Sequence, residues 1–294
     1  MRTVCDYIEL TKPRITWLIL MSTGVGCYFG LAPGGSWPAP GNLPWLLMLH
    51  ALLGTGLLAS GTAALNQWYE RDADRKMRRT AHRPLPEGRV SAVGALLFGL
   101  ALSAAGFLEL WAGTNLLAAL TGAFTLASYL CLYTPLKQRT WLSTTVGAIP
   151  GAMPPLIGYA AAAGRLTPEA WTLAAILFLW QFPHFYAIAW MYREDYARAG
   201  IVMLPVVEPD GRSTARQMVL YGLALVPVSL LPSLLGMSGK LYLAGALCAG
   251  VGFLYAGVRV AQKRTLRRAR SVLLVSVLYL PWIYGLMLLD RPGL

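Results

Sequence analysis

Asn66, Glu70 and Asp74 are spaced i, i+4, i+8 in the chain. On a helix, turning about 100° per residue, the three fall within an arc of about 80° on one face. One amide oxygen and two carboxylates on a single stripe suit a hard cation. Mg2+ takes few protein oxygens and completes its shell with water and substrate phosphate. Asp72 points away from the stripe. A dense run of cations follows, Arg75-Lys-Met-Arg-Arg-Thr-Ala-His-Arg83, and Arg79 and Arg83 are placed to neutralise a bound phosphate. Carboxylates for a metal beside arginines for phosphate point to chemistry on a phosphorylated lipid. A plainer reading also stands: a solvated helix end, with Glu70 and Asp74 paired to Arg71, Arg75 or Arg78. Asn66 weighs against it, because it lies on the apolar side of the stripe, where an unpaired polar group is expensive.

Two further segments carry polar groups of the right kind. Trp180-Gln-Phe-Pro-His184 leads into Glu194-Asp195-Tyr196. His184 and Asp195 are almost three whole turns apart, so one continuous helix would give them a common face, with Trp180 near it. Pro183 should kink that helix and free a backbone carbonyl. A histidine inside an apolar run is a candidate functional group; the alternative is a core histidine bonded to a neighbouring helix. Asp195 is either a further metal contact or the partner of Arg193 or Arg198, and Glu194 points off the stripe. In Tyr133-Thr-Pro-Leu-Lys137-Gln-Arg139, Lys137 and Arg139 are either diphosphate contacts or topology determinants. His50 and His82 read as structural or surface residues.

The elements that must position these groups cross a membrane. The 294 residues are 56% hydrophobic and only 13% charged, where a soluble domain carries about 25% charge. Apolar stretches of about twenty residues recur, enough to span a bilayer as helices. The pattern predicts one all-α membrane-embedded domain over residues 1–294. Its nine helices fall near 15–32, 43–67, 90–111, 114–134, 141–162, 169–191, 215–236, 241–261 and 271–289. Pro150, Pro154 and Pro155, with Gly147, Gly151 and Gly158, predict a broken or closely packed fifth helix lining a cavity, and packing alone would explain them as well. Arg2, Asp6, Glu9, Lys12 and Arg14 at the start argue against a cleavable signal peptide.

Of 25 Lys and Arg, all but Arg165, Lys240 and Arg291 fall on one side of this topology. The positive-inside rule then places the N-terminus in the cytoplasm of a bacterial-type inner membrane and the C-terminus on the opposite side. The net charge of +12 sits in short loops between spans, which argues against nucleic acid and for contact with membrane lipid headgroups and phosphates. The run from Lys263 to Arg270 reads as a topology signal. The four cysteines show no metal or disulfide spacing.

In order along the chain, Thr11-Lys-Pro-Arg14, Asn66-x-x-x-Glu70-x-Asp72-x-Asp74-Arg-Lys-Met77-x-Arg-Thr80-x-x-Arg83-Pro-Leu, Tyr133-Thr-x-x-Leu-Lys137-x-Arg-Thr140, Trp180-Gln-x-Pro-His184 and Asp195-Tyr-x-x-Ala-Gly-Ile-x-Met-Leu-Pro205 carry a resemblance. The chain resembles the UbiA-type intramembrane prenyltransferases, and within them the heme-farnesylating branch. The resemblance implies a nine-helix bundle around a central cavity, with its site on the cytoplasmic side. It implies transfer of farnesyl from farnesyl diphosphate to the 2-vinyl group of heme b, with water supplying a hydroxyl, to give heme O. Heme b is then a substrate, and the product passes to a heme A synthase or a terminal oxidase. On these residues, Asn66, Glu70 and Asp74 hold Mg2+, with Asp195 adding a contact. Arg79, Arg83, Lys137 and Arg139 meet the diphosphate, and His184 and Trp180 meet the heme. Asn66, Glu70, Asp74 and Lys137 are the expected catalytic set. Glu70 departs from the pattern the resemblance implies, which usually has Asp there. The rival readings are a UbiA-type enzyme acting on an aromatic or chlorophyll-type acceptor, a passive scaffold in oxidase assembly, and a transporter. A transporter would place its polar site near mid-membrane rather than at helix ends.

Overall fold

Arg2–Leu10 forms a short helix, α1, ahead of the first span, where the sequence pattern predicts none. The computed structural model describes residues 2–32 and 43–291, and every regular element among them is helical. α2 (Pro13–Gly30) starts on a proline, whose missing N–H costs nothing at a helix N-terminus. α3 (Trp45–Asp74) is the longest element, at 30 residues. It contains no proline, and it continues seven residues past its predicted end because Gln67, Glu70, Arg71 and Ala73 all favour helix. At 1.5 Å per residue it is about 45 Å long, against about 30 Å of hydrocarbon. The acidic stripe therefore projects from the apolar slab on a rigid rod.

α4 (Ala92–Gly113) and α5 (Leu116–Ala127) begin at Ser91 and Asn115, whose side chains accept from the Gly94 and Ala118 amides. α5 continues through a π-helical turn (Ser128–Tyr133) into α6 (Thr134–Leu136). The fifth span breaks, as predicted, into α7 (Ser143–Gly151) and α8 (Pro154–Ala163), because Pro154 and Pro155 cannot donate to the preceding turn. α9 (Pro168–Met191) runs unbroken through Pro183. The loop segments α10 (Arg193–Arg198) and α11 (Leu204–Val207) follow. The chain ends with α12 (Arg212–Val228), α13 (Leu231–Leu234), α14 (Lys240–Gln262) and α15 (Leu266–Leu289).

Eight of these rods are long and apolar enough to cross a membrane, counting α5–α6, α7–α8 and α12–α13 as one each. α2 packs among them as the ninth, which gives the predicted number of helices among the described residues. α7–α8 and α9 are the inner pair. Two-thirds of their apolar windows are buried, against 22% for α4 and for α5–α6 at the periphery. Tyr159, Phe182 and Tyr186 are fully buried there, while Trp17, Leu46, Leu97 and Leu278 face outward as a lipid-contacting surface should.

Close backbone approach fixes the centre. A Cβ on Gly26 of α2 would overlap the Pro155 carbonyl oxygen, and one on Gly158 of α8 would overlap that of Thr23. Without hydrophobic drive between helices in lipid, small residues at such crossings are what permit tight packing. One expectation fails. Tyr192 leaves the helical region, at φ −113° and ψ 21°, between α9 and α10. His184 and Asp195 therefore do not lie on one continuous helix, and the argument for a common face does not hold.

Candidate active site

The three polar segments converge at one end of the bundle through apolar contacts between their loops. Ala73 and Met77, where α3 runs out, pack with Ala189, Tyr196, Ala199 and Ile201 from α9, α10 and the turn after them. The Val202 amide donates to the Lys137 carbonyl at 2.7 Å, which ties the loop after α6 to the same place. α1 is pinned by Leu10 packing against Ala64, Leu85 and Val90, by Gln67 Nε2 donating to the Leu10 carbonyl at 2.8 Å, and by Arg89 pairing with Asp6.

At this convergence each member of the α3 stripe meets a cation from another segment. Lys12 Nζ donates to Asn66 Oδ1 at 3.2 Å, and the Asn66 amide donates to Thr134 Oγ1 at 3.3 Å. Lys137 Nζ lies 2.8 Å from Glu70 Oε1. Arg83 Nη1 lies 2.7 Å from Asp74 Oδ2. Asn66 and Asp74 are 2% and 1% exposed, so the stripe is an interior feature and not a solvated helix end. The arginines nearest in sequence take the outlier instead: Asp72 is 71% exposed on its side chain and pairs with Arg71 and Arg75.

The second acidic segment faces the first. Asp195 accepts from the Arg79 amide at 3.4 Å and pairs with Arg198 one turn on. The Arg79 guanidinium lies over the Tyr192 ring at 4.9 Å and donates to the Tyr196 hydroxyl. Glu194 is exposed, as its position off the stripe predicts. Arg139 is also exposed, two residues beyond Lys137, and the structure does not bring it into the cluster. His50 and His82 pair with Glu109 and Glu87, consistent with structural roles.

Lys12 is the functional residue that the sequence reasoning left without a role. It is the one described non-glycine residue with positive φ, at φ 48° and ψ 61°. A left-handed lysine costs about 1–2 kcal/mol, and the residue before a proline is restricted further. Such a conformation persists only where its surroundings enforce it, and functional sites are where it recurs. Burial and the nearby charges of Arg83 and Lys137, offset in part by Glu70 and Asp74, push the Lys12 ammonium down to about 7. Lys137 moves the other way. Burial works against its charge, but Tyr133 and Glu70 outweigh it and hold the group well above the ordinary lysine range. Its ammonium also lies 4.4 Å from the Tyr133 ring centre. The signal for Lys12 was present in Thr11-Lys-Pro-Arg14, but nothing local to that segment shows which helix its side chain reaches.

His184 sits seven residues before the end of α9, about 10 Å into the bundle from the ion cluster's end. Its ring stacks on Trp180 at 4.9 Å and 24°, and its Nδ1 lies 2.7 Å from Ser276 Oγ on α15. The Trp180 indole donates to the Ser276 carbonyl at 2.8 Å.

Among the described residues, no three of His, Cys, Asp and Glu converge as a ready-made metal cage. The donor chemistry still fits Mg2+, which is held by one or two carboxylates plus substrate phosphates rather than by an all-protein cage. Glu70, Asp74 and the Asn66 oxygen supply that set, and the cations they now bind are the ones a diphosphate would take up.

A polytopic helical bundle with buried carboxylates and cations paired at one end fits an intramembrane enzyme for a phosphate-bearing lipid. The pattern of the UbiA prenyltransferase family matches residues 25–283, and the chain belongs to that family. It is 73% identical over 290 residues to a protoheme IX farnesyltransferase of Solibacter usitatus, covering 98% of this chain and 99% of the relative. It is 47% identical to a protein of the same name from Koribacter versatilis, covering 97% and 93%. Its fold is similar to that of a digeranylgeranylglyceryl phosphate synthase, with a TM-score of 0.80 at 16% identity over the whole of both chains. A UbiA homologue from Archaeoglobus fulgidus bound to GPP and Mg2+ gives a TM-score of 0.67 at 17% identity, covering 96% of this chain and 99% of the other.

Proposed function

We propose that the chain is a protoheme IX farnesyltransferase of the inner membrane, converting farnesyl diphosphate, heme b and water to heme O and diphosphate. The observation that carries the reading is the 73% identity, over nearly the full length of both proteins, to a relative of that name. The ion cluster supports it independently, because the groups needed to detach a diphosphate stand together at the end of the bundle that the positive-inside rule assigns to the cytoplasm.

In this reading Asn66, Glu70 and Asp74 hold Mg2+, with Asp195 close by across the Arg79 loop. The bound ion neutralises charge on the diphosphate. Loading the site is an exchange of partners. Lys137 and Arg83 release their carboxylate partners, and Lys12 its amide partner, to take phosphate oxygens, so the charge of the two buried ion pairs stays matched. As the farnesyl C1–O bond breaks, the leaving group gains negative charge in a low-dielectric site, where each fixed cation contributes several kcal/mol. The terminal carbon of the heme vinyl group then bonds to farnesyl C1. Positive charge moves to the vinyl carbon beside the ring, water adds there, and a proton leaves to give the hydroxyl. The inner helices exclude water from the allylic cation until the carbon–carbon bond has formed. His184 holds the heme through its iron, with Trp180 against it. The product then passes to a heme A synthase or a terminal oxidase.

The test is incubation of the purified protein with heme b, farnesyl diphosphate and Mg2+, read by mass spectrometry. Heme O is the expected product, and its yield should collapse when Mg2+ is chelated. Farnesylation of an aromatic acceptor but not of heme b would overturn the assignment.

A further inference from the structure

Ser276 lies on α15, a helix to which the sequence assigns nothing but a membrane crossing. It is fully buried and is held from two sides by one turn of α9. Its hydroxyl makes two contacts of 2.7 Å, one to the Leu273 carbonyl oxygen and one to His184 Nδ1. A serine hydroxyl has one proton. The Leu273 carbonyl can only accept, so the hydroxyl donates there and offers a lone pair to His184. Nδ1 must then carry a proton and donate it. In a neutral imidazole with Nδ1 protonated, Nε2 is left with a free lone pair.

Among the described residues Nε2 makes no hydrogen bond, and His184 itself is only partly buried. Trp180 restricts the ring further. It stacks on the imidazole at 4.9 Å while its own indole N–H is fixed to the Ser276 carbonyl. Ring plane, tautomer and the direction of the lone pair are thus set by contacts to a single residue across the α9–α15 interface.

We propose that Ser276 is a positioning residue that locks His184 in the Nδ1–H tautomer and presents Nε2 as a neutral ligand to heme iron. The inference rests on the heme-farnesylating reading above. It goes beyond that reading by naming the group that orients the ligand. Partners of this kind, which accept the N–H of the far nitrogen of a ligating histidine, fix its orientation and raise its basicity, and removing one costs about 10–100-fold in metal affinity.

Two measurements separate the parts. The chain has three histidines, so protein labelled with 15N-histidine gives at most three imidazole systems, and His184→Ala assigns the one that disappears. Without heme, His184 should show a protonated Nδ1 and an unprotonated Nε2. A proton on Nε2 overturns the proposal directly, with no variant of Ser276 required. With ferrous heme b bound, the iron–histidine stretch in resonance Raman should be present in the wild type and absent in His184→Ala. In Ser276→Ala the stretch should fall in frequency, and heme b affinity should drop about 10–100-fold while farnesyl diphosphate affinity holds. Ser276→Thr, which keeps the hydroxyl, should restore the wild-type frequency. An unchanged frequency in Ser276→Ala overturns the positioning role. If the stretch survives in His184→Ala, axial ligation by His184 fails, and heme farnesylation itself is still judged by the product assay.

Discussion

The ion cluster at the end of α3 and the aromatic clamp around His184 use opposite physics within one bundle. In the cluster, each member of the α3 stripe meets a cation from outside the helix: Lys12 to Asn66, Lys137 to Glu70, Arg83 to Asp74. In the clamp, the polar partners are neutral, and orientation comes from stacking and from two hydrogen bonds to Ser276. A cluster of exchangeable ions suits a ligand that arrives charged and leaves with more charge. A rigid aromatic wall with one aimed nitrogen suits a flat, largely apolar ligand held at a fixed angle. In the proposed function the two regions would then recognise the two substrates separately, and substitutions should sort by which substrate they affect.

Asp74→Asn should have the largest effect. The amide keeps the shape and burial of the side chain but removes the charge that pairs with Arg83 and that, in the proposed function, would hold a metal. Heme O formation should fall about a thousandfold, the scale of losing a group whose interaction is made fully only in the transition state. Protein level should stay near normal and heme b binding should stay within about twofold. Wild-type turnover in this variant would remove Asp74 from the metal assignment.

Lys137→Met comes next and tests whether the ion pairs serve folding or chemistry. Removing one partner of a buried pair leaves Glu70 uncompensated, at about 3–5 kcal/mol. The kcat/KM for farnesyl diphosphate should fall about a hundredfold. Adding Glu70→Gln should recover thermal stability in detergent without recovering activity. Recovery of both would make the pair a structural device and leave the diphosphate to Arg79 and Arg83. His184→Ala sits on the other side of the comparison. It should weaken heme b about tenfold or more and leave the KM for farnesyl diphosphate unchanged, read by absorbance titration and initial rates. The reverse pattern would break the division of labour.

The sequence made the two regions legible to different degrees, for a physical reason. The α3 stripe was visible because Asn66, Glu70 and Asp74 lie on one helix, where spacing alone decides which face each side chain takes. The outlier Asp72 followed from the same geometry. The eight membrane-length rods, α2 beside them and the break before Pro154 were legible from hydropathy and proline placement. Partners that depend on how helices pack were not. Lys12 reaches across 54 positions to Asn66, and Ser276 reaches 92 positions back to His184. No local period encodes either contact. The expected common face of His184 and Asp195 failed at Tyr192, where α9 ends, because periodicity assumes a helix that continues. Glu70 on α3 meets Lys137, just past α6, a contact that again depends on how the helices pack.

The smallest predicted effect is the sharpest control on the comparison. Arg139 carries the same charge as Lys137 in the same loop, yet it is exposed where Lys137 is buried against Glu70 and Tyr133. If the cluster works by placed partners, Arg139→Ala should leave kcat/KM for farnesyl diphosphate within about twofold at 0.15 M salt, where an exposed charge is screened beyond about 8 Å. A modest loss should emerge only at low ionic strength, through weaker steering of the anionic headgroup toward the bundle end. If Arg139→Ala instead matches Lys137→Met at both salt concentrations, the loop acts through its total charge. The buried geometry of Lys137 would then carry no special weight, and the cluster would be an electrostatic surface rather than a site of paired and exchangeable ions.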